Sequence, residues 1–281
     1  MPNRAIIDHE MFAKLRERYQ YSWILLRELV RTDFKLRYQG SALGYVWSLL
    51  RPLFIFIILY FVFIHFLRIQ GGQHWPVAML LGIVLWNFFG DITNGGVGAI
   101  VGKGDLIRKV NFPKYIIILA GSFSALINLF FNLIVIAVFM ILSRVDLSWS
   151  ALLTPLWILE IFIFAIGISF ILSTLFVKFR DVNYIWEIIM QGLFYISPVV
   201  YPIAMVVERN VTIAQIIMLN PVAQAIQGAR HDLVDISNMT LTQISGGNWL
   251  INLVPLVIVL GTLVLGIWLF RKNSPRFAEE V

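Results

Sequence analysis

Long apolar runs, broken at intervals by short charged segments, make up most of this chain. A helix needs about 20 mostly apolar residues to cross the hydrocarbon of a bilayer. Six stretches meet or approach that length: Leu43–Leu67, Val77–Val101, Tyr115–Leu142, Ala151–Val177, Val182–Val200 and Trp249–Phe270. They predict an all-α integral membrane protein with six transmembrane helices across 43–270, an N-terminal segment at 1–42 and a tail at 271–281. Two regions have a different pattern. Residues 11–38 carry too many charges to cross. On a helix, Trp23, Leu25, Leu26, Leu29, Val30, Phe34 and Leu36 form one apolar face, with Arg27, Glu28, Arg31 and Lys35 opposite. That pattern predicts an amphipathic helix lying on the membrane surface; a solvated leader is the alternative. Asp33 and Arg37 interrupt the apolar side at i,i+4 spacing, where they can pair. Residues 201–248 hold apolar runs too short to cross, preceded by Ser197-Pro198 and Tyr201-Pro202, which break the fifth helix. Short re-entrant helices forming a gate fit this, as does an ordinary extracytoplasmic subdomain.

Composition narrows the class. Hydrophobic residues are 59% and charged residues 14% of the 281, and mean hydropathy is +0.82. A soluble domain carries about 25% charged residues, so a soluble enzyme and a disordered chain are both excluded. Cysteine is absent, which removes disulfides, thiolate metal sites and cysteine nucleophiles. The net charge of +6 reads as basic cytoplasmic segments, not nucleic-acid binding. Eighteen of the 22 Lys and Arg fall in the N-terminal segment, at the start of the first span, in the second–third and fourth–fifth connections and in the tail. By the positive-inside rule both termini are cytoplasmic. Trp47, Trp186 and Trp268 then fall at inner ends and Trp75, Trp149 and Trp249 at outer ends, where an indole finds both an apolar bed and a hydrogen-bond partner.

The second–third connection, Gly102 to Lys114, has its own signal. Gly104 and Asp105 can start a short helix with Asp105 as N-cap, and Pro113 ends it. Such a helix sets Leu106, Ile107, Val110 and Phe112 beside Arg108 and Lys109. The mixture suits docking into a groove on a partner, or else a helix that tucks back against headgroups. Within the spans the charges are Arg51, Asp91, Glu160 and Glu187, each costly in lipid and expected to face protein or water. Asp91 sits in a polar stretch from Asn87 to Gly96 that reads as a helix lining something wet. Trp86, Phe89, Tyr195 and Tyr201 lie among polar residues; they can line a path that holds the C–H faces of sugar rings, or simply pack a core. No catalytic grouping, metal cluster or P-loop is legible, so the chain needs no cofactor of its own and has no ATP site.

Three stretches resemble a known family. Arg31 to Pro52, RTDFKLRYQGSALGYVWSLLRP, resembles the gate helix and first span of ABC-2-type polysaccharide export permeases, which serve O-antigen, teichoic acid and rhamnose polysaccharides. Asp105 to Pro113, DLIRKVNFP, resembles the coupling helix of that family, and Phe179-Arg-Asp181, Ser197 to Pro202 and Asn220-Pro221 fall where it has short motifs. The resemblance implies a bacterial cytoplasmic-membrane permease that pairs with a second copy of itself and with two nucleotide-binding subunits, which hold ATP and Mg. It implies export of a lipid-linked polysaccharide. Asp33, Arg37, Tyr38, Tyr45, Trp47 and Arg51 would form the substrate entry and gate, and Asp105, Leu106, Ile107, Arg108, Lys109, Val110, Phe112 and Pro113 the ATPase contact. Trp86, Phe89, Asp91, Tyr195 and Tyr201 are the channel-lining candidates. A proton-coupled carrier would need internal symmetry and more buried acids; a membrane enzyme on polyprenyl-linked sugar would need a clustered acid–base set.

Overall fold

The computed structural model describes residues 22–33, 35, 44, 46–66, 68, 72 and 74–280. Helices are the regular elements of the described residues, which contain no strand. The elements are α1 (22–33), α2 (Val46–Tyr60), α3 (Trp75–Val97), α4 (Gly104–Lys109), α5 (Tyr115–Leu142), α6 (Thr154–Lys178), α7 (Val182–Ile196), α8 (Ala204–Arg209), α9 (Val211–Met218), α10 (Pro221–Leu233), α11 (Leu241–Ile244), α12 (Trp249–Asn273) and α13 (Phe277–Glu280).

Among the described residues, four helical stretches are long and apolar enough to cross a membrane: Trp75–Val97, Tyr115–Leu142, Trp149–Lys178 and Trp249–Glu280. The first expected crossing is α2, with 15 α-helical residues and a further six in a π turn, Phe61–Phe66. The fifth, α7, stops after 15 residues at Ile196. At about 1.5 Å per residue it spans roughly 22 Å, short of the ~30 Å hydrocarbon. The cause is Pro198: its ring pushes the preceding Ser197 into extended backbone, φ −73° and ψ 139°.

α3 is the axial helix, buried along nearly its whole length against α5 and α6. Small residues let the backbones approach, as packing in lipid requires. Ser169 on α6 donates its hydroxyl to the Ile92 carbonyl of α3 at 3.0 Å as well as to its own helix at Ala165, 2.8 Å. A Cβ on Gly167 would lie 2.8 Å from the Leu263 amide nitrogen of α12, so that crossing accepts glycine alone. The outer faces of α5, α7 and α12 stay apolar and exposed, including Phe130, Ile141, Ile188, Val257 and Val264. Lipid tails or a second chain can cover such faces without the penalty that water would impose.

The two ends of the bundle differ. At one, α4 and α13 pack together; at the other, α10 lies across α3 and α6, and α8, α9 and α11 build a satellite core around Ile203, Ala214, Met218, Leu241 and Ile244. α1 lays Leu25, Leu26, Leu29 and Val30 on the start of α5 and on Leu106, while Trp23, Ile24, Arg27 and Glu28 face outward. Its amphipathic face therefore meets protein at the α4 end. Phe34 and Leu36 lie outside the described residues.

Candidate functional site

A cleft of about 690 Å³ opens between α2, α3, α5 and α7. Three of the four span-embedded charges converge on it: Arg51 from α2, Asp91 from α3 and Glu187 from α7. Glu160 is not among its lining residues. The helix period explains the convergence. Asn87, Asp91 and Asn94 share one face of α3, Asn128 and Asn132 one face of α5, and Glu187, Gln191 and Tyr195 recur at i,i+4,i+8 on α7. Each polar stripe needs a partner or water, so these three faces turn toward one another, with Arg51 of α2 beside them. Asn128 donates its amide to Asp91 at 3.0 Å, and Asn132 donates to the Asn128 carbonyl at 2.9 Å. Asn128 thus joins α5 to α3, whereas Asn132 bonds within its own helix; both line the cleft. Gln191 was not singled out by sequence, although its place in the α7 stripe was a usable signal.

Trp86, Asp91, Tyr195, Trp47 and Arg51 line this cleft together. Two of the other channel candidates sit elsewhere. Phe89 is 1% exposed and backs Trp86 at 5.8 Å, stacked on Phe164 with an interplanar angle of 11°. Three positions on from Trp86 its side chain is displaced by only about 60° around the helix axis, and that is enough to set it against Phe164 of α6 and Trp186 of α7. Tyr201 lies past the end of α7 and donates its hydroxyl to the Ile196 carbonyl at 2.7 Å; burial raises its pKa by disfavouring the phenolate. The aromatic wall of the cleft is instead Trp86, Phe194 and Tyr195, with Trp86–Phe194 and Phe194–Tyr195 centroids 5.7 and 5.3 Å apart. Tyr195 is 69% exposed.

Beyond α7, a buried Arg230 on α10 fastens the chain reversal. Its exposure is 0%. It donates to the carbonyls of Ala78 at 2.8 Å, Pro198 at 2.5 Å and Val199, and to the Gln227 side chain at 3.2 Å, with its guanidinium 5.0 Å from the Trp75 ring centroid. Nearby, Asp232 accepts from the Trp157 indole at 2.7 Å. Asn220 caps α10 by accepting from the Val222 amide at 3.0 Å and donates to Ser197 at 3.1 Å. The Ser197-Pro198 and Asn220-Pro221 motifs thus meet in space. Sequence counted Arg230 only as one of four cations on the far side; nothing local marks a buried Arg whose partners are distant carbonyls.

The connection at the opposite end forms the short helix α4, with its N-cap two residues earlier than expected. Its N-cap is Lys103, following a 3-10 turn at Val101–Lys103, and Asp105 sits in the first turn with its carboxylate 3.2 Å from Arg108. An acid there still suits the helix dipole. The expected apolar docking face is mostly turned inward. Ile107 and Phe112 are 5% and 6% exposed in the main core, and Leu106 is half-buried beside Leu29. A six-residue helix has too few hydrogen bonds to stand alone, so its apolar side must seat on the body. What faces outward is Asp105, Arg108, Lys109, Val110 and Asn111. Asp33 meets Lys103 at 2.7 Å, which ties the end of α1 to the start of α4. Arg37, the partner expected from sequence, lies outside the described residues with Tyr38 and Tyr45.

Comparison with known proteins places this geometry in a family. The family model described as ABC-2 type transporter matches residues 24–233. The chain belongs to the ABC-2 type transporter family. Similarity to individual relatives extends over most of the chain. It is 29% identical to an O-antigen export system permease protein RfbA of Klebsiella pneumoniae over 271 residues, 96% of this chain and 99% of that protein. It is 29% identical to the RfbA permease of Myxococcus xanthus over 75% of this chain and 80% of that one. It is 26% identical to the polysialic acid transport protein KpsM of Escherichia coli over 67% of this chain and 74% of that protein. As an ABC-2 protein with several membrane-length apolar helices, the chain is a multi-pass membrane transport subunit.

Proposed function

We propose that this chain is the permease subunit of an ABC exporter that moves a lipid-linked cell-surface polysaccharide across a bacterial cytoplasmic membrane. The observation that carries the reading is the similarity, over nearly the full length of both chains, to an O-antigen export permease. The cleft supplies a physical reason to expect such cargo. Hydroxyl-rich glycan needs hydrogen-bonding groups at a depth where lipid offers none, and Asn87, Asn94, Asn128 and Gln191 provide them beside the Trp86–Phe194–Tyr195 wall. Two copies paired across this open face would close the cleft into a path. The ATP and Mg belong to two separate nucleotide-binding subunits that meet the exposed side of α4. α1 with the Arg31–Pro52 stretch forms the entry gate, and 201–248 the outer gate.

In inverted vesicles holding this chain and its ATPase subunit, a labelled lipid-linked polysaccharide is expected to accumulate only when ATP is present. Equal uptake without ATP would refute the exporter reading. A block of the cleft tests the route. Gly95 lines the cleft with open space around its would-be Cβ; Gly261, on the outward face of α12 and not among the cleft residues, has open space as well. Gly95→Trp is expected to cut transport by roughly tenfold, the equivalent of about 1.4 kcal/mol, at unchanged protein level; Gly261→Trp should leave it intact. Equal transport by both would take the path out of this cleft.

The proposed topology has six crossings, with both termini and α4 cytoplasmic and 201–248 outside. With no native cysteine, single cysteines at Lys103 and Asn238 should react with an impermeant maleimide from opposite sides. Labelling of both from one side would overturn the arrangement.

A further inference from the structure

A second groove, of about 630 Å³, runs between α5, α6 and α12. Its walls are apolar, among them Leu119, Leu159, Phe162, Ile166, Phe170 and Ile267. Two cations, Lys114 and Arg271, stand with Tyr115 and Ser274 at its α4 end. It is separate from the polar cleft: the two share no lining residue.

We propose that this groove binds one anionic phospholipid, its acyl chain along α6 and its phosphate between Lys114 and Arg271. Length is the first argument. Leu159 and Phe170 bound the α6 wall, eleven residues apart and thus roughly 16 Å along the helix. That is about half of the ~30 Å hydrocarbon, the depth of a single leaflet. Charge is the second. Both cations lie at the end where α5 begins and α12 finishes, the level at which a headgroup would sit, and none lines the rest of the groove. Basic pockets between membrane helices hold anionic headgroups for this reason. The Lys114 ammonium already donates to the Ser274 carbonyl at 2.5 Å and lies 5.9 Å from the Phe277 ring centroid. Burial lowers its pKa by disfavouring the charge, a cost that a facing phosphate would offset.

Position gives the lipid a consequence. Pro113 and Lys114 close the segment that carries α4, and Ser274 leads into α13, whose Phe277 is buried in the same core as Ile107. A phosphate clamping Lys114 to Arg271 would therefore brace the segment that we propose receives the ATPase. Only the choice of leaflet, the cytoplasmic one, rests on the proposed topology.

The test is native mass spectrometry of the purified full chain released from micelles containing phosphatidylglycerol, phosphatidylcholine or polyprenyl phosphate. Phosphatidylglycerol is expected to be retained over phosphatidylcholine by roughly tenfold, the scale of two cations facing one phosphate. Arg271→Gln, at an exposed side chain, should remove most of that preference, and Lys114→Gln the rest. Leu159→Trp, which narrows the groove without touching charge, should lower phosphatidylglycerol retention to the same extent. Equal retention of the two phospholipids, or unchanged retention in both Arg271→Gln and Leu159→Trp, would overturn the site. Preferential capture of polyprenyl phosphate would also overturn it, by making the groove a seat for the cargo's own lipid. Cysteine labelling at Lys103 separates this from the topology: inverted labelling with intact phosphatidylglycerol preference moves the site to the other leaflet, whereas normal labelling without preference removes the site alone.

Discussion

Arg230→Met is expected to be the most damaging single substitution in the chain. It leaves the carbonyls of Pro198 and Val199 buried without their donor and removes the second donor of Ala78, whose carbonyl remains in the α3 ladder. Each orphaned carbonyl costs about 1–3 kcal/mol, and removal of a desolvated charge returns part of that. A net loss of roughly 3 kcal/mol is reasonable, which for a chain of this size corresponds to a thermal midpoint lower by on the order of 5–10 °C. Arg230→Lys should lose less, because an ammonium keeps the charge but lacks the planar fork that reaches three carbonyls on two elements. Gly82→Ala should act in the same direction from the other side, since its Cβ would lie 2.9 Å from the guanidinium carbon and 3.0 Å from the Val199 carbonyl oxygen. Thermal unfolding of detergent-purified protein checks all three. Exposure of a cysteine placed at Val199, which is buried, reports whether the chain reversal has come loose. An unchanged midpoint for Arg230→Met would mean that α10 is held by its apolar contacts with α6 and α3 alone.

The second large effect concerns α4, where two sets of substitutions should separate. Arg108→Glu with Lys109→Glu reverses the exposed charge without touching the core. It is expected to reduce co-purification of the ATPase subunit by roughly tenfold, about 1.4 kcal/mol, while thermal stability stays within about 0.5 kcal/mol of wild type. Added salt should raise the residual binding, since reversal turns the attraction into a repulsion that salt screens. Ile107→Ala with Phe112→Ala should behave in the opposite order. Both side chains are buried, and large-to-small changes in a core cost roughly 2–5 kcal/mol each. Stability should fall first, with loss of coupling as a consequence of a loosened seat. If the charge reversal leaves ATPase binding intact, the contact lies elsewhere, and α1, joined to Lys103 through Asp33, is the next surface to test.

The division between those two sets shows where sequence reasoning stopped. Leu106, Ile107, Val110 and Phe112 were legible as an apolar set beside two cations, and the short helix was legible from Gly104 and Pro113. Which apolar residues face a partner and which face home is not a local property. It depends on α1, α5 and α13 arriving beside α4, and they take up Leu106, Ile107 and Phe112. The channel candidates divide in the same way. Trp86, Asp91 and Tyr195 share the cleft, whereas Phe89, three residues from Trp86, turns to Phe164 and Trp186.

What the sequence determined by itself is everything that follows from transfer out of water: an all-helical membrane chain, the approximate limits of its long apolar helices, and the breaks at Ser197-Pro198 and Pro113. These are sums over consecutive residues, and hydropathy and proline chemistry act through the local chain. The motifs that resemble ABC-2 permeases were likewise contiguous. Only the tertiary structure decided the polar cleft, the Arg230 fastening and the lipid-sized groove. Each is assembled from residues far apart in sequence, with Arg230 and Ala78 separated by 152 positions. Partners at such distances are selected by the packing of whole helices, as where Gly167 and Ser169 set how closely α6 approaches α12 and α3.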